Sequence, residues 1–348
     1  MKKILWIDLA TGFGGQEKFV VEISKIFARD HSFEIYVLTL NETLYLNLRN
    51  SINCFFYQDK FSILKTIKRI NLITNKVNPD CIFFNGNRSV FFLPFVLHKR
   101  KIAYLHSNKY FIPNILKRTI SLLLLNFSYI FARKVIHVSK LSSNDVFWFN
   151  RYKLDIIYNG VDVNLYRPSL ILESNAKLIV AFIGRLTIEK GIYESVKAFE
   201  TINNSKLNIE FHIIGDGPEK DRINKYIYSN KISNIKLLGF TNNVAEALKN
   251  ASILILPSYF ESFPLIILEA MSSGVPVIAS NVGGVPEIIE NMQNGILIEP
   301  RNIDQLIDAL TFLTNSNAER IRIGNKGKET VEKDFTIERT VLEITNLI

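Results

Sequence analysis

The stretch ILILPSYFESFPLIILEAMSSGVPVIAS, residues 253–280, sets the fold. It opens on the apolar run Ile253–Leu256 and closes on another, Val277–Ala279. Runs of this kind, apolar on both faces, are what a strand inside a parallel sheet requires. Between them, Pro264 suits the first position of a helix, where its missing N–H would have no partner. The unit reads strand, loop, helix, strand. Glu261 lies in the loop, and Glu269 lies about one and a half turns into the helix. Two carboxylates so placed can reach one ligand from different depths, each accepting the hydroxyl protons of a vicinal diol. Phe263 and Leu265 bracket the helix start; the Leu265 amide can meet a phosphate there, and Pro264 has no amide to give. A plainer reading makes Glu261 a surface residue and Glu269 a helix cap. The flanking Gly274–Ser280 and Gly283–Glu287 segments argue against it.

The same alternation runs outward in both directions. Apolar runs at Lys3–Asp8, Glu34–Leu40, Ile52–Tyr57, Cys81–Phe84, Lys101–His106, Lys134–Val138 and Leu154–Ile157 alternate with helix-length segments such as Gln16–Asp30 and Ser62–Lys76. Tyr158–Asp162 and a polar, Pro-containing segment to about Ala176 then form a linker. The pattern restarts with Lys177–Ile183, Ile209–Ile214, Ile235–Leu238, Ile253–Leu256, Val277–Ala279 and Ile296–Ile298. Two such blocks in 348 residues predict an α/β protein of two doubly wound parallel-sheet domains. Their ligands bind outside the carboxyl ends of the strands.

Apolar residues make up 47% of the chain and charged residues 22%, which excludes wholesale disorder. Residues 1–165 hold 23 Lys+Arg against 11 Asp+Glu, and the remainder hold 19 against 22. The basic first half fits an anionic partner, either a membrane surface or a phosphorylated ligand, or simply a solvated basic face. Nucleic acid is disfavoured, because no helix-turn-helix, zinc-finger or RNP-like pattern is present. Cys54 and Cys81 lack metal-ligand spacing and read as buried thiols in a reducing compartment. The five histidines are scattered, and no metal is expected. No secretory signal opens the chain. Thr119–Ala132 is too short to span a bilayer. Ile120–Phe131 reads as a core helix, although the cations of HKRK, LKR and ARK around it could also seat it on anionic lipid.

Three further places carry candidate chemistry. GRLTIEKG, residues 184–191, follows a strand and opens a helix, so Arg185 and Lys190 form either a diphosphate-binding pair or two ordinary surface cations. Gly14 and Gly15 follow the first strand and let backbone amides approach a phosphate or an acceptor. Their spacing is not that of a dinucleotide fingerprint, because Glu17 occupies the third glycine position. His106 ends a strand and is either structural or part of the site, whereas His137 reads as core.

The ordered set GRLTIEKG, GDGP, LGF, PSYFESFPLIILEAMSSGVPVIAS, GGVPEII and NGILIEP resembles the retaining GT-B glycosyltransferases of family 4 (glycosyl transferases group 1). The resemblance is dense over residues 176–300. It continues through GFGGQEKFV, YLHSN, HVSK and YNGVDVNLYRP in the first half. It implies the GT-B architecture, two Rossmann-like domains facing across a cleft. The acceptor domain would be 1–165 and the nucleotide-sugar domain 166–334, with a helix in 335–348 packing back toward the first. Glu269 looks like the family's ribose-binding position and Glu261 like the residue that holds the donor sugar. Arg185 and Lys190 look like the pair that neutralises the leaving diphosphate in place of a metal. Phe240 and Gly215–Pro218 would line the base and sugar pockets. His106 would meet the donor sugar, or steady an oxocarbenium-like state through its carbonyl. Pro264 stands where other members carry Gly.

The expectation is a metal-independent hexosyltransferase in the cytoplasm, peripheral to the inner membrane face. It would move a hexose or N-acetylhexosamine from a UDP-sugar, or a GDP-sugar second, to a growing, lipid-linked surface glycan such as lipopolysaccharide or capsule. The rival from another class is a non-catalytic nucleotide-sugar-binding subunit that activates a partner.

Overall fold

A computed structural model describes residues 1–57, 62–106, 114–167, 177–203, 209–230 and 232–348. The polar half of the expected linker, 168–176, lies outside these residues, as does the end of the YLHSN stretch. Every expected apolar run becomes a strand, with ends that shift by a residue or two. The first sheet holds β1 (Lys2–Asp8), β2 (Phe33–Thr39), β3 (Asn53–Phe56), β4 (Cys81–Asn85), β5 (Lys101–Leu105), β6 (Lys134–His137) and β7 (Leu154–Ile156). Its order is β3-β2-β1-β4-β5-β6-β7, parallel throughout. The second holds β8 (Leu178–Ile183), β9 (Ile209–Ile214), β10 (Ile235–Gly239), β11 (Ile253–Leu256), β12 (Val277–Ser280) and β13 (Ile296–Ile298). Its order is β10-β9-β8-β11-β12-β13, also parallel.

Both sheets reverse their winding once. In the first, β1 lies between β2 and β4; in the second, β8 lies between β9 and β11. The loops after β1 and β4, and after β8 and β11, turn to opposite faces and leave a crevice at the carboxyl edge. Apolar packing on both faces fixes the strands. Trp6 stacks on Phe83 with centroids 4.3 Å apart. The helix Gly15–Arg29 buries Phe19, Ile23 and Phe27, one residue per turn along a single stripe.

The chain divides into two compact units, residues 1–159 with 338–348 and residues 160–337. The boundary therefore falls six residues before the expected 165/166, and the terminal segment crosses at 337/338. Val161 N–H donates to Phe335 O at 3.0 Å and Ile337 N–H to Val161 O at 3.1 Å. This short parallel bridge holds Phe335 and Thr336 in the second unit. The helix Ile337–Thr345 then serves the first unit, with Thr340 Oγ1 donating to Tyr158 O at 2.9 Å.

Two expectations are corrected. Cys54 is only half-buried, because β3 is an edge strand; Cys81 is buried, and both thiols are free. Burial pushes each thiol up to about 12. The second correction concerns the apolar run around residue 120. The helix Ile115–Ile130 is not a core helix: it buries only Leu125, Asn126, Ser128 and Tyr129. Two of those four are polar, and Asn126 can be buried there because it is bonded on every side. Asn126 Nδ2 donates to Leu122 O and Asp145 O, and Oδ1 accepts from Phe147 N–H at 2.7 Å. Among the described residues no helix is long and apolar enough to cross a membrane.

The bridge at Val161 yields a prediction. A Cβ on Gly160 would lie 2.1 Å from Thr336 O and 2.6 Å from Ile337 N, both backbone atoms. Gly160→Ala is expected to cost roughly 2 kcal/mol or more, as an overpacked site does. Urea unfolding would show it as a lowered midpoint; an unchanged midpoint would mean that the bridge contributes nothing.

Candidate active site

In the second unit the switch point brings together residues far apart in sequence. Lys190 follows β8 and Glu261 follows β11, the strand paired with β8. Lys190 Nζ lies 2.6 Å from Glu261 Oε1, and Ser258 Oγ donates to the same oxygen at 2.8 Å. Glu261 is 8% exposed, so its carboxylate is largely withdrawn from water, whereas the Lys190 side chain is part-exposed. Two backbone bonds set that geometry: Tyr259 N–H donates to Glu189 O at 2.8 Å, and Gly284 N–H to Glu261 O at 3.3 Å. Gly191 closes the turn that carries Lys190. Its φ is +71°, and a Cβ there would meet Pro257 O at 2.0 Å. Tyr259 OH donates to Glu194 Oε1 at 2.6 Å, and the Arg301 guanidinium lies 4.3 Å over its ring. Burial, then the bond to Glu194, pushes that phenol up to about 12.

The helix of the opening stretch spans Leu265–Ser272. Pro264 is its N-cap, with φ −78° and ψ 110°, rather than its first helical residue. No side chain caps the helix start, so its polar end faces whatever the loop admits. Glu269 is 2% exposed, inside the second turn. Phe263 is turned against Phe335, centroids 5.9 Å apart, so its ring packs within the second unit. Arg185 is exposed in the loop after β8. That loop is tied to its neighbours: Gly184 N–H donates to Ile214 O, Leu186 N–H to Asp216 O and Gly215 N–H to Gly239 O. Phe240 follows Gly239, exposed, on the same carboxyl edge of the sheet. Arg185, Lys190, Glu261 and Phe240 thus leave one edge of one sheet, with Leu265 and Glu269 on the helix that follows.

The first unit has a second polar cluster at its own switch point. Asp8 and Asn85 are register partners at the ends of β1 and β4. Asn85 Nδ2 donates to Asp8 Oδ2 at 2.7 Å, and Gln16 Nε2 to the same oxygen at 3.3 Å. Asn85 Oδ1 is thereby left to accept from His106 Nε2 at 2.9 Å. On the other side Tyr104 OH donates to Asn159 Oδ1 at 3.2 Å, so Asn159 Nδ2, 3.1 Å from His106 Nδ1, is the donor there. The chain of bonds assigns the neutral imidazole with its proton on Nε2. The ring is half-buried between Phe19 and Tyr104, centroids 5.1 and 4.9 Å away. Burial, helped by nearby His137, pushes it down to about 3. Burial raises Asp8, against the bonds from Ala10, Asn85 and Gln16. With both ring nitrogens engaged, His106 has no free ring nitrogen to act as a base. Gly14 N–H donates to Glu17 Oε2 at 2.7 Å, so that amide is spent on its own helix, which Gly15 begins.

Asp8, Asn85, Asn159, Gln16 and Ser258 escaped the sequence reading. A signal existed for two of them: WID and FFN each end an apolar strand on a polar residue, as YLH does at His106. Among the described residues no three His, Cys, Asp or Glu side chains gather as a metal would need.

Comparison with known proteins agrees with this fold. The family described as "Glycosyl transferases group 1" matches residues 170–330, and "Glycosyltransferase Family 4" matches 13–165. The chain belongs to this family of GT-B glycosyltransferases. An uncharacterised glycosyltransferase of Methanocaldococcus jannaschii is 31% identical over 232 residues, 62% of this chain and 59% of its own length. The UDP-Gal:alpha-D-GlcNAc-diphosphoundecaprenol alpha-1,3-galactosyltransferase of Escherichia coli is 32% identical over 210 residues, 56% of this chain and 54% of its own length. The chain thus matches little more than half the length of these curated relatives. HepE of Anabaena, solved in complex with UDP-glucose, superposes with a TM-score of 0.85 at 20% identity, over 99% of each chain. At that identity the likeness is one of fold.

His137 provides a pH test. It is fully buried, with Nδ1 3.1 Å from Ser142 Oγ, and burial pushes its value from 6.5 down to about 3. The unfolded chain takes up a proton below about pH 6.5 that the folded ring refuses until about pH 3. Its contribution is therefore full above pH 6.5 and lost as pH falls. His137→Leu should flatten the acid-side fall of unfolding free energy by about 1.4 kcal/mol per pH unit, one proton's worth. Equal slopes in both proteins would contradict the assignment.

Proposed function

We propose that this glycosyltransferase moves a hexose or N-acetylhexosamine from a UDP-sugar, with GDP-sugar second, to a hydroxyl of a growing lipid-linked surface glycan. The anomeric configuration is retained and no metal takes part. The observation that carries the reading is the Lys190–Glu261–Ser258 cluster at the switch point of the second sheet, with Arg185 on the same edge and Glu269 in the adjoining helix. An ammonium has three donors; Lys190 spends one on Glu261 and keeps two for diphosphate oxygens. Arg185 adds a second cation, and together they offset the charge that grows on the leaving nucleotide. Lys190 and Ser258 both bind Glu261 Oε1, which leaves Oε2 to accept from hydroxyls of the donor sugar. Glu269 accepts from the ribose hydroxyls, and exposed Phe240 offers a flat face to the base.

In the first unit both ring nitrogens of His106 are engaged, so its backbone carbonyl, not its ring, is what it would offer a sugar. The Escherichia coli relative, a UDP-Gal enzyme acting on a diphosphoundecaprenol, supports a UDP-sugar donor and a lipid-linked acceptor. The basic first half supports an acceptor held at an anionic membrane surface.

The test is calorimetric donor binding across UDP- and GDP-sugars with EDTA present, on wild type, Glu269→Gln and Glu269→Ala. Glu269→Gln keeps the shape and removes the charge. It should weaken one preferred donor by about a hundredfold, the worth of two hydrogen bonds to a charged group. Chelator should change nothing. If no donor binds, or if Glu269→Gln binds as tightly as wild type, the assignment falls; a collapse on adding EDTA sinks metal independence alone.

A further inference from the structure

The helix Ile115–Ile130 is apolar on two faces. Leu125 and Tyr129 pack into the core beside Asn126 and Ser128, while Leu116, Ile120, Leu123, Leu124, Phe127 and Ile130 are exposed. These six recur at helical spacing and form one outward stripe. Leu116 is 69% exposed, Leu123 55% and Phe127 53%. An isolated surface leucine needs no explanation, but a contiguous apolar stripe does. The stripe does not end with the helix. The turn Trp148–Lys153 is fastened to its second half, with Asn150 Nδ2 donating to Asn126 O at 2.8 Å and Lys153 Nζ to Ile130 O at 2.7 Å. That turn adds Trp148, 83% exposed, and the exposed Tyr152.

Charge decides what covers this face. Residues 95–153 carry 11 Lys+Arg and a single acid, Asp145, which is itself buried. Lys117 lies within the stripe's first turn, and Arg133 and Lys140 follow the helix; all three are exposed. A second copy of the chain would bring two basic rims together and be repelled. A nucleic acid would match the cations but leave the leucines and phenylalanines in water. A surface with anionic headgroups above an apolar layer satisfies both, with Trp and Tyr at its boundary.

We infer that the outward stripe of the helix Ile115–Ile130, together with Trp148 and Tyr152, docks the protein on an anionic lipid bilayer by lying in the headgroup layer. This names the face by which the proposed lipid-linked acceptor is met, and so rests on the membrane part of that reading. It is tested without donor or acceptor, so its failure leaves the donor assignment standing.

The chain supplies its own reporter. It has two tryptophans; Trp6 is fully buried, and Trp148 is exposed. Wild type, Leu123→Ser/Phe127→Ser and the control Tyr228→Ser, an exposed residue of the second unit, would be titrated with vesicles of phosphatidylcholine, with and without phosphatidylglycerol, at low and high salt. Flotation would be read beside tryptophan emission. Wild type and control should float with the anionic vesicles, with emission shifted to the blue, and the double variant should bind at least ~10-fold more weakly. Circular dichroism on the double variant separates lost docking from lost folding, and soluble-donor binding should be unchanged in it. Wild type that ignores anionic vesicles overturns the inference, as does a folded double variant that floats like wild type. Binding abolished by salt and indifferent to the double change would reduce the contact to charge alone and also refute it.

Discussion

The parallel pairing of β8 with β11 is the constraint on which the candidate site depends. It places the ends of two strands side by side and brings Lys190 to 2.6 Å from Glu261 across 71 residues of chain. An ion pair withdrawn from water repays its desolvation only when the geometry is held and the remaining lone pairs are used. Here the Ser258 hydroxyl takes up part of the carboxylate, and the bond from Tyr259 N–H to Glu189 O locks one loop to the other. The close passage of Gly191 under Pro257 is the steric condition for that lock.

The first unit applies the same topology to different chemistry. Its switch point joins Asp8 to Asn85, and the chain of bonds continues to His106 and Asn159. Where the second unit gathers charge, the first suppresses it. Asp8 is pushed toward its neutral form and His106 is held neutral, both chiefly by burial. The shared topology thus carries a hydrogen-bonded network at the strand ends of one unit and an ion pair at those of the other.

The helix Ile115–Ile130 shows how reading an apolar run as core can fail. An apolar run can serve two faces of one helix. Four hydrogen-bonding contacts to Leu122, Asp145, Phe147 and Asn150 allow Asn126 to be buried beside Leu125 and Tyr129, and the remaining apolar residues turn out. No rule of spacing contains that information, since three of the four partners come from a later segment.

The sequence by itself determined the strands of the described residues and their grouping into two parallel sheets, and it marked Arg185, Lys190, Glu261 and Glu269 as candidates. Apolar runs and loop chemistry are local properties, and a chain carries them in order. Only the tertiary structure decided which of those residues touch. It paired Lys190 with Glu261, bound Asn85 between Asp8 and His106, and turned the ring of Phe263 toward Phe335. It also set the boundary at Asn159 and Gly160, because the bridge from Val161 to Phe335 and Ile337 joins segments 174 and 176 positions apart. Strand order and side-chain partnership are long-range choices. They are settled by burial and hydrogen bonding across the whole chain, which no window of the sequence contains.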